Sequence, residues 1–268
     1  VDKIAFTGGT ITGKKIMQAA AETMKKITLE LGGKNPAIVF DDCDMDVTLD
    51  WTMFAAFANQ GQVCSAGSRI YVQEKMYDAF IEKYAAACSR VKIGNGLDDG
   101  IHMGPLVSAA HYEKVKNYIK VSVDEGATLL CGGRRPAHLP HGYFLEPTVF
   151  INTNHNMRIM REEIFGPVVC IQKFTTEEEA IMLANDSVYG LAGGIFTSNI
   201  TRAHRVLPQL KCGILWVNYY HPTFNEQPWG GYKQSGTGRE LGMQGIEAYL
   251  ETKQVNINTD SNPVGWYS

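Results

Sequence analysis

Cys64 lies in Gly61-Gln62-Val63-Cys64-Ser65-Ala66-Gly67-Ser68-Arg69, small residues that follow an apolar helical run. Upstream, a single carboxylate, Glu30, sits in the apolar stretch Ile27-Thr28-Leu29-Glu30-Leu31, closed by Gly32-Gly33. A thiolate is a good nucleophile toward an electrophilic carbon, and the thioester it forms remains hydrolysable. An ionised carboxylate in an apolar strand is costly unless it lines a polar cavity. Burial would raise its pKa toward neutrality, where it can activate water. The pair therefore suggests the nucleophile and base of a mechanism through a thiohemiacetal, with Cys64 expected to be an accessible, low-pKa thiol. On residue type alone other readings stay open, because a free cysteine is more often an inert buried hydrophobe and Glu30 could face solvent at a strand edge.

Other positions carry weaker signals. Gly8-Gly9 precede a helical segment and would let the backbone approach a phosphate at its N-terminus, although two glycines are more often only a turn. Arg161 to Glu163 reads by itself as a solvated charge run, and Glu240, in Gly238-Arg239-Glu240-Leu241-Gly242, as a carboxylate favoured by a helix dipole. The segment Trp216 to Trp229 is dense in aromatic residues and contains Glu226. Aromatic faces stabilise quaternary ammonium groups, and a nearby carboxylate adds attraction, so a cationic substrate is expected. Core or interface packing is the competing use of such rings. The remaining cysteines, Cys43, Cys88, Cys131, Cys170 and Cys212, show no CxxC or Cys/His ligand spacing, so no metal site is expected and a reducing cytoplasm is favoured.

The elements that must hold these groups alternate. Strands are expected at Lys3–Phe6, Ile27–Leu31, Pro36–Phe40, Ser68–Gln73, Val168–Phe174, Gly193–Thr197 and Gly213–Asn218. Helices are expected at Gly13–Lys25, Val47–Asn59, Lys75–Arg90, Ala109–Glu125, Thr176–Asn185 and Ile200–Leu210. Such alternation predicts an α/β fold with a largely parallel sheet. A polar, strand-like pattern at Ala248–Asn258 predicts an edge strand available to another subunit. With 268 residues, 44% hydrophobic and 20% charged, the chain can bury a sizeable core. A net charge of −3 without a basic patch argues against nucleic acid and anionic lipid, and no run is long enough to span a bilayer. Only about one β-α unit precedes Glu30, as though the chain began mid-domain.

Phe6-Thr7-Gly8-Gly9, Leu29-Glu30-Leu31-Gly32-Gly33-Lys34-Asn35-Pro36, Gly61-Gln62-Val63-Cys64, Glu162-Glu163-Ile164-Phe165-Gly166-Pro167 and Pro228-Trp229-Gly230-Gly231-Tyr232-Lys233 occur in this order. Together they resemble the NAD(P)-dependent aldehyde dehydrogenase superfamily. The resemblance implies the tail of a Rossmann-type cofactor domain at 1–32, a catalytic domain at 33–232 and a return segment with an oligomerisation arm at 233–268. It implies Cys64 as nucleophile, Glu30 as general base and Glu240 as a proton-relay carboxylate. For the cofactor, NAD or NADP, it implies Gly8, Gly9 and Leu31, with Glu163 on the nicotinamide-side ribose and Phe165 beside the nicotinamide. Gly9 departs from the usual serine and removes one hydroxyl. The Trp216–Trp229 segment looks like the branch that oxidises betaine aldehyde, with Tyr220, His221 and Trp229 as substrate contacts, although Thr223 replaces an expected aromatic. A homodimer or homotetramer is implied. Alternatives are a general aliphatic or semialdehyde dehydrogenase, the latter disfavoured by the lack of Arg or Lys in that segment, or a truncated chain without catalysis.

Overall fold

The computed structural model describes residues 1–266. The chain opens with β1 (Lys3–Thr7), α1 (Thr10–Ala21) and β2 (Lys26–Glu30), with β1 and β2 parallel and in register from Lys3 opposite Lys26 to Thr7 opposite Glu30. There follow β3 (Pro36–Val39), α2 (Met45–Phe57), β4 (Arg69–Gln73), α3 (Glu74–Ser89) and α4 (Ala109–Asp124). Next come β5 (Thr128–Cys131), β6 (Thr148–Ile151), the single turn α5 (Arg158–Arg161), β7 (Val168–Phe174) and α6 (Glu177–Asn185). The last elements are β8 (Tyr189–Gly190), β9 (Ala192–Phe196), α7 (Ile200–Val206), β10 (Ile214–Val217), β11 (Tyr232–Lys233), β12 (Gly236–Thr237) and α8 (Gly242–Glu247).

Seven strands form the main sheet in the order β10-β9-β3-β4-β7-β6-β5, all parallel except β5, which pairs antiparallel with β6. The central strands read as continuous apolar runs because both faces are covered, as parallel sheets require: Ala37, Ile38, Val39, Ile70, Val72 and Val169 are all fully buried. Four helices start where a side chain satisfies a free N–H group. Asp44 accepts from Val47 at the start of α2, Ser108 from His111 at α4, Thr176 from Glu179 at α6 and Asn199 from Arg202 at α7. A separate three-stranded sheet, β1-β2-β12, shows the first unit completed by a late segment, with Gly236 opposite Glu30.

Two expectations are corrected. The α2 helix stops at Phe57 rather than Asn59, because Asn59 and Gln60 adopt left-handed backbone angles (φ 49° and 58°) and turn the chain toward Cys64. The tail at Ala248–Asn258 forms no strand in this single chain and runs exposed from Glu251 onward. The periodicity also left β5 and β6 unassigned.

Candidate functional site

The turn after α2 carries Cys64, and one buried side chain fixes it. The Asn35 side-chain amide donates to the carbonyls of Cys64 and Ala66, both at 2.9 Å, while its oxygen accepts the Ala192 N–H at 3.0 Å. Three segments, β3, the Cys64 turn and β9, are thereby held together by a residue the sequence reading did not single out. Its signal was present: an asparagine immediately before the proline that opens the apolar strand β3.

Cys64 is half-buried and packs, with Trp51, Tyr219 and Trp229, against a core of Ala55, Leu191, Ala192, Trp216 and Tyr220. The expected low-pKa thiol is not what this environment produces. Burial pushes its pKa above the ordinary value, and the Glu163 and Glu30 carboxylates push further, while the N–H groups of Ser65 and Cys64 itself pull the other way.

Glu30 is 5% exposed, and neither carboxylate oxygen has a hydrogen-bond partner among the described residues. Burial, reinforced by the Glu240 carboxylate and opposed by the Arg239 guanidinium, raises its pKa to about 8. Glu240 reaches this neighbourhood through the return segment: it pairs with Trp229 by two backbone bonds, Trp229 N–H to Glu240 O at 2.7 Å and Glu240 N–H to Trp229 O at 2.8 Å. The adjoining Gly230 has φ +152°, and a Cβ there would come within 2.8 Å of Glu30 Oε1, so only glycine lets the strap pass over the carboxylate.

Ser235 ties the strap down. Its hydroxyl donates to Gly32 O at 2.7 Å and accepts from Gly190 N–H at 3.0 Å, and its carbonyl accepts from Leu31 N–H at 2.9 Å. Leu31 is buried, with its side chain against Gly13 of α1, so it touches the helix that Gly9 caps.

Glu163 lies over the Gly32-Gly33 turn. Gly33 N–H donates to Glu163 Oε1 at 3.1 Å, and a Cβ at Gly32 would collide with the same carboxylate. Burial raises the Glu163 pKa, so the solvated charge run is not what forms here. Phe165 is 37% exposed with φ +62°, and its carbonyl bonds His111 Nε2 at 2.6 Å. Gly9 caps α1 without a side-chain bond, and a Cβ there would meet nothing within 4 Å. Gly8 donates its N–H to Glu30 O at 3.0 Å, which ties that turn to the strand carrying the carboxylate.

The expected substrate contacts divide. Tyr220 is corrected: it is 0% exposed, packed at a tilt of 43° against Trp216 with ring centres 4.5 Å apart and lying against Gly67, so it backs the Cys64 turn and has no free face. His221 uses both ring nitrogens, Nδ1 with Ser65 Oγ and Nε2 with Ala55 O, each at 3.2 Å. Burial lowers its pKa, so it braces the residue after Cys64 as a neutral ring. Trp229 remains half-buried, 6.3 Å from Trp216. Trp51 and Phe54 of α2 join the same array, Trp51 at 6.1 Å from Tyr219 and Phe54 at 5.5 Å from His221; their i, i+3 spacing on one helix was the available signal.

Lys34 also went unmarked. Its side chain is 2% exposed, its Nζ has no hydrogen-bond partner among the described residues, and burial lowers its pKa to about 8.

The sequence pattern of the aldehyde dehydrogenase family matches residues 1–255. The chain belongs to the aldehyde dehydrogenase family. Among its relatives, betaine aldehyde dehydrogenase of Bacillus subtilis is 50% identical over 270 aligned positions, covering 100% of this chain and 55% of the relative. Aminoaldehyde dehydrogenase 1 of Pisum sativum, a peroxisomal protein, is 49% identical and is covered over 53% of its length. A solved structure of betaine aldehyde dehydrogenase from Staphylococcus aureus, in complex with NAD+, superposes with a TM-score of 0.97 at 50% identity, over 100% of this chain and 54% of that one. The chain thus spans about half the length of the relatives it matches. Its α/β fold pairs the late strap with the first sheet, β12 against β2. No helix among the described residues is long and apolar enough to cross a membrane.

Proposed function

We propose that this chain is the catalytic part of an NAD(P)-dependent aldehyde dehydrogenase that oxidises betaine aldehyde, or a related aminoaldehyde, to the carboxylic acid. The observation that carries this reading is the convergence of Cys64, the unpartnered Glu30 and the half-buried rings of Trp51, Tyr219 and Trp229. In the mechanism, the Cys64 thiolate adds to the aldehyde carbon. The Cys64 N–H, which pulls the thiol pKa down, is the donor this reading assigns to the developing oxyanion. Glu30 then takes a proton from the water that cleaves the acyl thioester, and Cys64 leaves as the thiolate that began the cycle. Glu240 stands beside Glu30 to pass that proton outward.

The residues present fit a dinucleotide. The uncapped first turn of α1 at Gly8 and Gly9 suits a phosphate, Leu31 packs on that helix, and Glu163, held by Gly33, suits ribose hydroxyls. Phe165 offers an exposed ring beside them. When bound, NAD(P) supplies the hydride acceptor. Residues 1–32 with the strap from 233 onward form the cofactor-side unit in this reading, and 33–232 the catalytic unit. A homodimer or homotetramer joined through the exposed tail, in the cytoplasm, completes it; the six free cysteines fit a reducing setting.

The cationic preference is tested with the whole protein by comparing betaine aldehyde with a neutral aldehyde of similar size. A desolvated cation–π contact is worth about 0.5 to 2 kcal/mol, so Trp229→Ala should lower kcat/KM for the cation by roughly threefold to thirtyfold and the neutral substrate less. Equal losses would make Trp229 a packing residue and return the general aldehyde reading.

A further inference from the structure

Away from the reacting groups, the C-terminal end of α6 receives two cations from two different parts of the site. An α-helix leaves its last four carbonyls without partners inside the helix, and its dipole makes that end negative. Arg69, which opens β4 after the Cys64 turn, donates to the carbonyls of Leu183 and Asp186 at 3.3 Å, of Ala184 at 3.0 Å and of Lys34 at 2.9 Å. Lys233 of the strap takes the carbonyls between and after them. Its Nζ donates to Asn185 O at 2.9 Å and to Ser187 O at 3.0 Å. The two cations thus divide the run 183–187 with no carbonyl in common. Lys233 is exposed, and a merely solvated lysine needs no such partners. Its backbone sets it apart, because φ is +53°, a left-handed conformation uncommon outside glycine and asparagine. The strap is pinned to β8 at this point, with Lys233 opposite Tyr189 and the Gln234 N–H bonded to Val188 O at 3.0 Å. Three residues to either side the strap meets Glu30, at Gly230 and at Gly236.

We propose that Lys233 is a positioning residue: by holding the last carbonyls of α6 it fixes the strap over Glu30, in register with the strand that follows Cys64, so that base and nucleophile are referred to one helix end. Its catalytic meaning rests on Glu30 being the base proposed above. The charged and titratable groups that face Glu30 are Glu240 and Arg239 on the return segment and the Cys64 thiol on the turn after α2. Lys233 itself faces Asp186, Lys211, Cys212 and Arg69. Burial does most to raise the Glu30 pKa to about 8, with Glu240 adding to it and Arg239 opposing. A strap freed from α6 would admit water to Glu30 and carry both of those charges away. Because burial is the larger effect, the net change is downward.

The test uses the whole protein and follows the Glu30 carboxyl by infrared titration, its band assigned as the one that Glu30→Gln removes. Asparagine tolerates the left-handed backbone but is too short to reach α6. Lys233→Asn should therefore fold, and should lower the Glu30 titration point by about one pH unit, a roughly tenfold loss of proton affinity. Lys233→Arg, a longer donor, should restore it. In turnover the pH inflection of deacylation should move with the infrared titration, while KM for NAD(P) stays that of the parent. A parent-like titration point in Lys233→Asn would overturn the role, and so would a shift that Lys233→Arg leaves uncorrected. A protein that shows the infrared shift yet oxidises no aldehyde would refute the proposed function and leave the hold of Lys233 on Glu30 standing.

Discussion

At the scale of single residues, Glu30 and Cys64 are set against their ordinary chemistry by the same low-dielectric surroundings. Folded Glu30 keeps its proton up to about pH 8, whereas an unperturbed glutamate releases it near 4.5. Between those values the folded state binds the extra proton, so stability falls as pH rises. The raised pKa costs on the order of a few kcal/mol above pH 8, at about 1.4 kcal/mol per unit. Glu30→Gln should therefore remove that pH slope and be more stable than the parent at pH 8.5 in urea unfolding; an unchanged slope would place Glu30 in water. In the whole enzyme the same substitution should keep a burst of reduced cofactor and lose turnover, and the parent's deacylation rate should climb with pH through about 8. Cys64, raised by burial and by Glu163, should be alkylated by iodoacetamide ever faster as pH increases past 9, without a plateau below it. A plateau near pH 7 would mean that some group not acting here lowers the thiol pKa.

At the scale of elements, the site depends on a few polar side chains that lock strands to turns. Asn35 joins β3, β9 and the Cys64 turn through three hydrogen bonds. Replacing it by alanine strands the buried partners, at about 1–3 kcal/mol for each unsatisfied group before relaxation. Asn35→Ala should therefore lower unfolding free energy by about 2–4 kcal/mol and change the alkylation rate of Cys64 with it. A loss of stability with unaltered Cys64 reactivity would show that the turn holds itself. Ser235 plays the corresponding part for the strap, between Gly32 and Gly190. The existence of β2, β3 and α2 was legible from apolar runs and periodicity. The exact exit of α2 was not, because left-handed Asn59 and Gln60 are imposed by the need to turn the chain toward the sheet.

At the scale of the whole molecule, the tail is the conspicuous surplus. Val255 and Ile257 are 70% and 82% exposed in an extended segment. Their unpaired backbone and apolar side chains offer an edge to a second copy of the chain. Deleting residues 251–268 from the whole protein should shift sedimentation toward smaller species; an unchanged assembly state would assign oligomerisation to another surface.

By itself the sequence determined the α/β layering, through strands and helices whose periods differ, and it marked Cys64, Glu30 and Glu163 through motifs in a fixed order. Those are local or linear properties, so a chain read end to end carries them. Only the tertiary structure decided that the charge of Glu240 acts on Glu30, some two hundred residues apart, because the return segment pairs with β2 through β12. It also decided that Tyr220 is core while Trp51 and Phe54 join the aromatic array, because burial depends on which faces meet. The thiol's raised pKa has the same origin: desolvation is set by packing between distant elements, and no spacing along one chain encodes it directly.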